Sequence, residues 1–161
     1  MRKAGAWLRR RAENVAAAML AVMFAAFVVQ IVFRYFFNFP IGWTSELTVI
    51  MWLWLVLWGA AFVLKETEEI RFDLLSASAG RRTRLAMGIV VALALVVLYA
   101  ASLPASYSYV TFMKVEASSY LKIRMDWMFS IYLVFLVAII ARYLWILSRL
   151  LRGKGPEEAD S

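Results

Sequence analysis

Residues 15–64 read VAAAMLAVMFAAFVVQIVFRYFFNFPIGWTSELTVIMWLWLVLWGAAFVL. Two apolar runs flank a short segment holding an arginine, an Asn-Phe-Pro turn, a glycine, a tryptophan and a glutamate. Val15 to Phe33 is interrupted only by Gln30, and Leu47 to Leu64 has Thr48 as its only polar residue. Each run matches the roughly 20 residues that a helix needs to cross a hydrocarbon core of about 30 Å. A helix is required because the bilayer core offers nothing else to satisfy backbone polar groups. A charged pair, Arg34 and Glu46, therefore brackets a turn where the chain leaves and re-enters an apolar phase.

The pattern recurs downstream. Leu85 to Leu103 carries no charge, and Trp127 to Leu147 carries Ser130 near its start and Arg142 near its end. The 161-residue chain is 64% hydrophobic, with a mean hydropathy of +0.73. Soluble domains are about 45–50% apolar, and so small a body cannot hide the excess. The fold class is an all-α integral membrane protein with four transmembrane helices, over approximately 14–36, 45–64, 85–106 and 127–148. These form a single membrane domain over 1–161, with a polar tail at 153–161. The basic start MRKAGAWLRRR fits the opening of a signal peptide. The first run is too long for one, and Arg34 acts as a stop, so it reads as a retained helix.

The chain has no cysteine and no histidine. That excludes disulfides, thiol catalysis, cysteine-ligated metal sites and histidine ligation of haem or zinc. No cofactor is expected. The net charge of +7 points to membrane lipids rather than nucleic acid, since lysine and arginine collect near anionic lipid and in cytoplasmic loops. Arg2, Lys3, Arg9, Arg10 and Arg11 precede the first run, whereas Asn38 to Ser45 has no basic residue. The second loop holds Lys65, Arg71, Arg81, Arg82 and Arg84, and the tail adds Arg149, Arg152 and Lys154. The asymmetry places both termini in the cytoplasm. Lys114, Lys122 and Arg124 in the third loop reduce the contrast without reversing it.

Two connections are more than bare loops. Glu66 to Arg84 mixes charges with Ile70, Phe72, Leu74 and Leu75, and Asp73 and Gly80 can cap and end a short helix. A short interfacial helix and a solvated loop both fit it. In YLKIRMDW, Tyr120 to Trp127, apolar Leu121, Ile123 and Met125 alternate with charged residues. Period two predicts an extended piece with one face for the membrane or a partner.

The interior is informative for what it lacks. Ionisable residues near the midplane mark ion pathways and substrate sites, and broken helices mark binding sites. Arg34 and Glu46 lie at helix ends, Gln30 one turn from an end, Pro104 near an end, and Arg142 where it can snorkel. No buried carboxylate pair offers acid–base catalysis, so no enzyme activity is expected. The second run holds Trp52, Trp54 and Trp58, then a small-residue patch of Gly59, Ala60 and Ala61. Trp54 and Trp58 share a helix face, and small residues allow close helix approach. Internal packing and a rigid face for a larger partner both account for this.

At the turn, Pro40 and Gly42 reverse the chain, Thr44 or Ser45 can cap the second helix, and Glu46 falls in its first turn. A carboxylate there is favoured by the helix dipole, and Trp43 suits the headgroup level. Arg34 and Glu46 then either serve separately at an interfacial hairpin, pair with each other, or bind a partner chain.

The hairpin, followed by WLWLVLWGAAFVLKETEEIRFDLL, resembles the small membrane (Q-type) subunit of TRAP transporters, the tripartite ATP-independent periplasmic family. The matching residues are Arg34, Pro40, Trp43, Glu46, Trp58, Gly59, Arg71 and Asp73. The length, the four helices and the LKIRMDW lead into the last helix are also similar. The chain departs from the family at Glu69, where a histidine is frequent, and at Ser45-Glu46, where two acidic residues are frequent. No role of that histidine is carried over. The resemblance implies a small permease subunit of a sodium-driven symport system in the bacterial inner membrane. Its implied partners are a large permease subunit and a periplasmic substrate-binding protein, and its implied cargo is organic acids. Substrate and sodium would bind the large subunit, while this chain widens the static scaffold. Arg34, Trp43, Glu46, Trp54, Trp58, Gly59, Arg71 and Asp73 are then structural or subunit-interface candidates. The alternatives are a structural or assembly subunit of another inner-membrane complex and a small autonomous four-helix transporter. The second would need a membrane-buried carboxylate for proton coupling. A haem-bearing redox anchor would need histidines.

Overall fold

The computed structural model describes residues 2–39, 41–64 and 80–152. Arg71, Asp73, most of the Glu66 to Arg84 connection and the tail at 153–161 lie outside the described residues. The described residues form four long helices: α1 (Arg2–Phe36), α2 (Trp43–Trp58), α3 (Arg81–Phe112) and α4 (Met125–Leu151). Each is long and apolar enough to cross a membrane, over Trp7–Phe36, Trp43–Val63, Arg82–Val115 and Met125–Leu151. The all-α membrane fold is as the hydropathy pattern predicts.

α1 has 35 residues, a length of about 52 Å at 1.5 Å per residue. That exceeds the hydrocarbon thickness of about 30 Å, so its basic first turns stand outside the apolar layer. They are held by local pairs: Arg9 Nε to Glu13 Oε1 at 2.8 Å, one turn apart, and Arg11 5.2 Å over the Trp7 ring. The helix stops at Asn38, whose φ of 50° is the left-handed conformation that asparagine tolerates at helix ends. The Phe39 N–H then donates back to the Phe33 carbonyl at 3.1 Å.

α2 begins differently from the sequence reading. Gly42 precedes the helix and no side chain caps it. The Thr44 hydroxyl donates to the Ile41 carbonyl at 3.0 Å, and Thr44 itself is fully buried. Its hydroxyl closes the turn behind the helix, and Thr44 already lies within the helix that begins at Trp43 rather than at its cap position. Glu46 does fall in the first turn. At the far end, the small-residue patch becomes a π-helical turn, Gly59–Val63. A Cβ on Gly59 would meet nothing within 4 Å, whereas Ala61 is buried.

Contacts divide the chain into two units: Met1–Val63 with Tyr107–Phe135, and Leu64–Ser106 with Leu136–Ser161. In the first, α1 packs along α2, with Ala12, Ala26, Ile50, Val110 and Ile131 buried. Tyr109 of α3 meets Phe129 of α4 edge-on at 6.0 Å. In the second, Gly88 of α3 faces Leu150 of α4 so closely that a Cβ would sit 3.4 Å from Leu150 Cδ1. Ala92, one turn on, is buried, the small-residue spacing that lets membrane helices approach. Arg142 does more than snorkel, because its Nη2 donates to the Leu64 carbonyl at 3.0 Å. Gly80 lies just before α3, and its carbonyl accepts from Arg84 N–H at 3.0 Å. Pro104 lies inside α3, which continues to Phe112 and a 3-10 turn, Met113–Val115.

Candidate functional site

The richest polar arrangement is built around the α1–α2 turn. Residues Glu116 to Met125 form a tight reversal, which overlaps the stretch Tyr120 to Trp127 expected from sequence to be an extended two-faced piece. Met125 N–H donates to the Glu116 carbonyl at 3.0 Å, and Ser118 N–H to the Ile123 carbonyl at 2.9 Å. Ser118 Oγ accepts from Ile123 N–H at 3.2 Å. Lys122 takes a φ of 54° to complete the turn. Period-two alternation describes an extended run, but here Ser119 to Leu121 is a turn and only Ala117 and Arg124 pair as a bridge.

The tip of this reversal leaves two backbone donors pointing outward, and Glu46 takes both. Oε1 accepts from Tyr120 N–H at 2.9 Å, and Oε2 accepts from Leu121 N–H at 2.9 Å. Charged acceptors make the stronger backbone hydrogen bonds, so one carboxylate fastens the start of α2 to the connection before α4. The Tyr120 ring consequently lies on Gly42. A Cβ there would run into the outer edge of the exposed Tyr120 ring, which would have to swing aside to admit it. Arg34 forms no ion pair with Glu46. It lines a cleft of about 500 Å³ together with Gln30, Asn38, Ile41, Gly42, Ser45 and Tyr120. Gln30 Nε2 donates to Ser45 Oγ at 3.2 Å, joining α1 to α2.

The tryptophans of α2 separate by role. Trp54 Nε1 donates to the Met128 carbonyl at 3.1 Å. Trp58 Nε1 donates to the Ala12 carbonyl at 3.1 Å, and its ring lies 4.5 Å from that of Phe62. Both are half-buried, and Trp43 and Trp52 are more exposed. α4 opens with a two-point pair: Arg124 Nη2 lies 2.6 Å from Asp126 Oδ2, and Arg124 Nε donates to Asp126 Oδ1 at 3.1 Å. Asp126 Oδ1 also accepts from Trp127 N–H at 3.0 Å.

Sequence reasoning found Glu46 but not its partners. Backbone donors have no sequence signature, and Tyr120 lies 74 positions away. Gln30, Gly42 and Ser45 were noticed individually, without their common cleft. Among the described residues, no group of three or more Asp or Glu side chains could hold a metal ion.

Comparison with protein families matches residues 23–153 to the family described as tripartite ATP-independent periplasmic transporters, DctQ component. A comparison with curated proteins found no match. The family match runs from the middle of α1 past the end of α4 and includes the Glu46 clasp and the Trp54 to Met128 bond, so the chain is a multi-pass membrane protein of the DctQ component family of tripartite ATP-independent periplasmic transporters.

Proposed function

We propose that this chain is the scaffold half of a sodium-driven organic-acid importer. In this reading it supports the large permease subunit, which takes substrate from a periplasmic binding protein, and it binds neither substrate nor sodium itself. It lies in the bacterial inner membrane with both termini cytoplasmic and the Asn38 to Ser45 turn periplasmic. It catalyses no covalent reaction.

The observation that carries this reading is where the polar side chains of the described helices are spent. Gln30, Trp54 and Trp58 hold helices to one another. Glu46 holds a loop, and Arg142 holds a backbone carbonyl. A transport site needs polar groups free to exchange ligands near the midplane. Groups engaged in packing suit a static support. Among the interface candidates, Trp43 and Gly59 keep outward sides and are offered as contacts with the large subunit.

Reconstitution tests the proposal. Liposomes holding this chain alone should show no sodium-dependent organic-acid uptake. Uptake should appear only when the large subunit and the binding protein are added. Uptake by this chain alone would overturn the reading.

A further inference from the structure

We propose that the cleft at the α1–α2 turn binds the phosphate of an anionic phospholipid. This does not depend on the transport reading. The cleft measures about 500 Å³, and Arg34 lies on its wall. Among the described residues the Arg34 guanidinium makes no ion pair or hydrogen bond. The nearest acidic residue in sequence, Glu46, is committed to the Tyr120 and Leu121 N–H groups. A guanidinium presents a planar fork of donors that matches phosphate oxygens.

The other walls add donors of the same kind. Ser45 Oγ accepts from Gln30, which leaves its O–H free to donate into the cleft. The Asn38 amide is a further donor on the wall. The wall is also fixed in place. Asn38 is held at φ 50° by the Phe39 to Phe33 bond, and the Tyr120 backbone is tied to the start of α2 by the Glu46 clasp. A cavity with a cation, an amide and a hydroxyl, and with no acidic wall, selects an anion with several acceptor oxygens.

Position decides the source of that anion. The turn joins two membrane-spanning helices, so the cleft opens at a bilayer surface. Tyr35, Phe36, Phe37 and Phe39 surround the turn with exposures of 76%, 85%, 66% and 63%. Aromatic residues collect at headgroup depth. Here they offer an apolar bed for the glycerol and upper acyl carbons of a lipid whose phosphate reaches Arg34. A free phosphate ion would gain nothing from them.

The test uses the purified full chain in a non-ionic detergent, titrated with dihexanoyl phosphatidylglycerol, dihexanoyl phosphatidylcholine or inorganic phosphate. Bound lipid is counted by native mass spectrometry and affinity is read from tryptophan fluorescence. Phosphatidylglycerol should bind saturably at one site, at least tenfold more tightly than phosphatidylcholine. Arg34→Gln should weaken it tenfold or more, whereas the exposed Arg10→Gln should not change it. Asn38→Gly keeps the turn conformation and removes the amide, and it should weaken binding severalfold. If circular dichroism shows that Arg34→Gln does not fold, Asn38→Gly and Ser45→Ala decide, and wild-type affinity in both overturns the proposal. Equal binding of the two lipids overturns it as well. Inorganic phosphate that displaces the lipid at equal concentration would make this a free-anion site and overturn the lipid assignment.

Discussion

Trp54 and Trp58 distinguish a protein that holds itself together from one that keeps its aromatic face for a partner. Replacing either by phenylalanine removes the indole N–H and about a third of the ring system while keeping an aromatic body. Each deleted donor costs one interhelical hydrogen bond, Trp54 to Met128 at 3.1 Å and Trp58 to Ala12 at 3.1 Å. Such bonds between membrane helices average about 0.6 kcal/mol and reach about 1.7 kcal/mol. Both acceptors are carbonyls inside helices, so they keep their helical donors and add no penalty for an unsatisfied group. The lost ring atoms give up several van der Waals contacts of about 0.1–0.2 kcal/mol each, roughly 0.5 kcal/mol in a half-buried position. Each substitution should therefore destabilise by about 1 kcal/mol. The two bonds run to different helices, so the double variant should approach about 2 kcal/mol, a shift of about thirtyfold in the folding equilibrium.

The assay is reversible unfolding in mixed micelles by added sodium dodecyl sulfate, followed by circular dichroism. Trp52→Phe is the control, since Trp52 is 57% exposed and should cost nothing measurable. An equal loss for Trp52→Phe would refute the assignment of the two bonds. So would unchanged stability of the Trp54 and Trp58 variants together with reduced co-purification of a large permease subunit. That pair of results would place both indoles in the partner interface.

Gly42→Ala should destabilise the chain by about 1 kcal/mol or less, below the usual cost of core overpacking, because the new Cβ meets only the exposed outer edge of the Tyr120 ring, which can swing aside. Adding Tyr120→Ala should recover part of that loss in thermal unfolding, and no recovery would dissociate the two residues. Glu46→Ala should speed hydrogen exchange at the Tyr120 and Leu121 amides selectively, with little change in the middle of α2. For orientation, Phe39→Cys should react with an impermeant thiol reagent in intact cells and Gly153→Cys should not. The reverse pattern would invert the proposed topology.

Much of this fold was legible in the sequence because the bilayer imposes one solution. Uncharged runs such as Leu85 to Leu103 must be helical to satisfy their backbone. The third loop was not legible for a related reason. Alternation in YLKIRMDW signals two faces only if the backbone stays extended, and Lys122 at φ 54° breaks that condition. Lysine is not a residue that announces a left-handed turn, as Asn-Gly would. Thr44 misled in a similar way. A threonine before an apolar run reads as a cap, yet here the helix has already begun at Trp43 and the hydroxyl turns back to Ile41. Pro104 was expected near a helix end, but α3 encloses it, and local sequence could not settle that. Membrane helices tolerate an internal proline when neighbouring groups satisfy the freed backbone.

The fate of Glu46 explains why a bracketing charged pair need not be an ion pair. A carboxylate in the first turn of α2 already sits at the favourable end of a helix dipole, so it needs no cation to remain ionised. What it lacks is an occupant for its two oxygens. The connection before α4 has the complementary deficit: two adjacent N–H groups at the tip of a turn. Joining them satisfies both and ties residues 74 positions apart at one end of the molecule. Arg34 is then left without its nearest counter-ion. In a soluble protein an unpaired surface arginine would be unremarkable. At a headgroup layer it faces a surface rich in phosphate, with an amide, a hydroxyl and a cleft beside it. The clasp that frees Arg34 is also the clasp that positions Tyr120 as the cleft wall. Loosening Glu46 should therefore weaken anion binding at Arg34 without touching either the arginine or the anion.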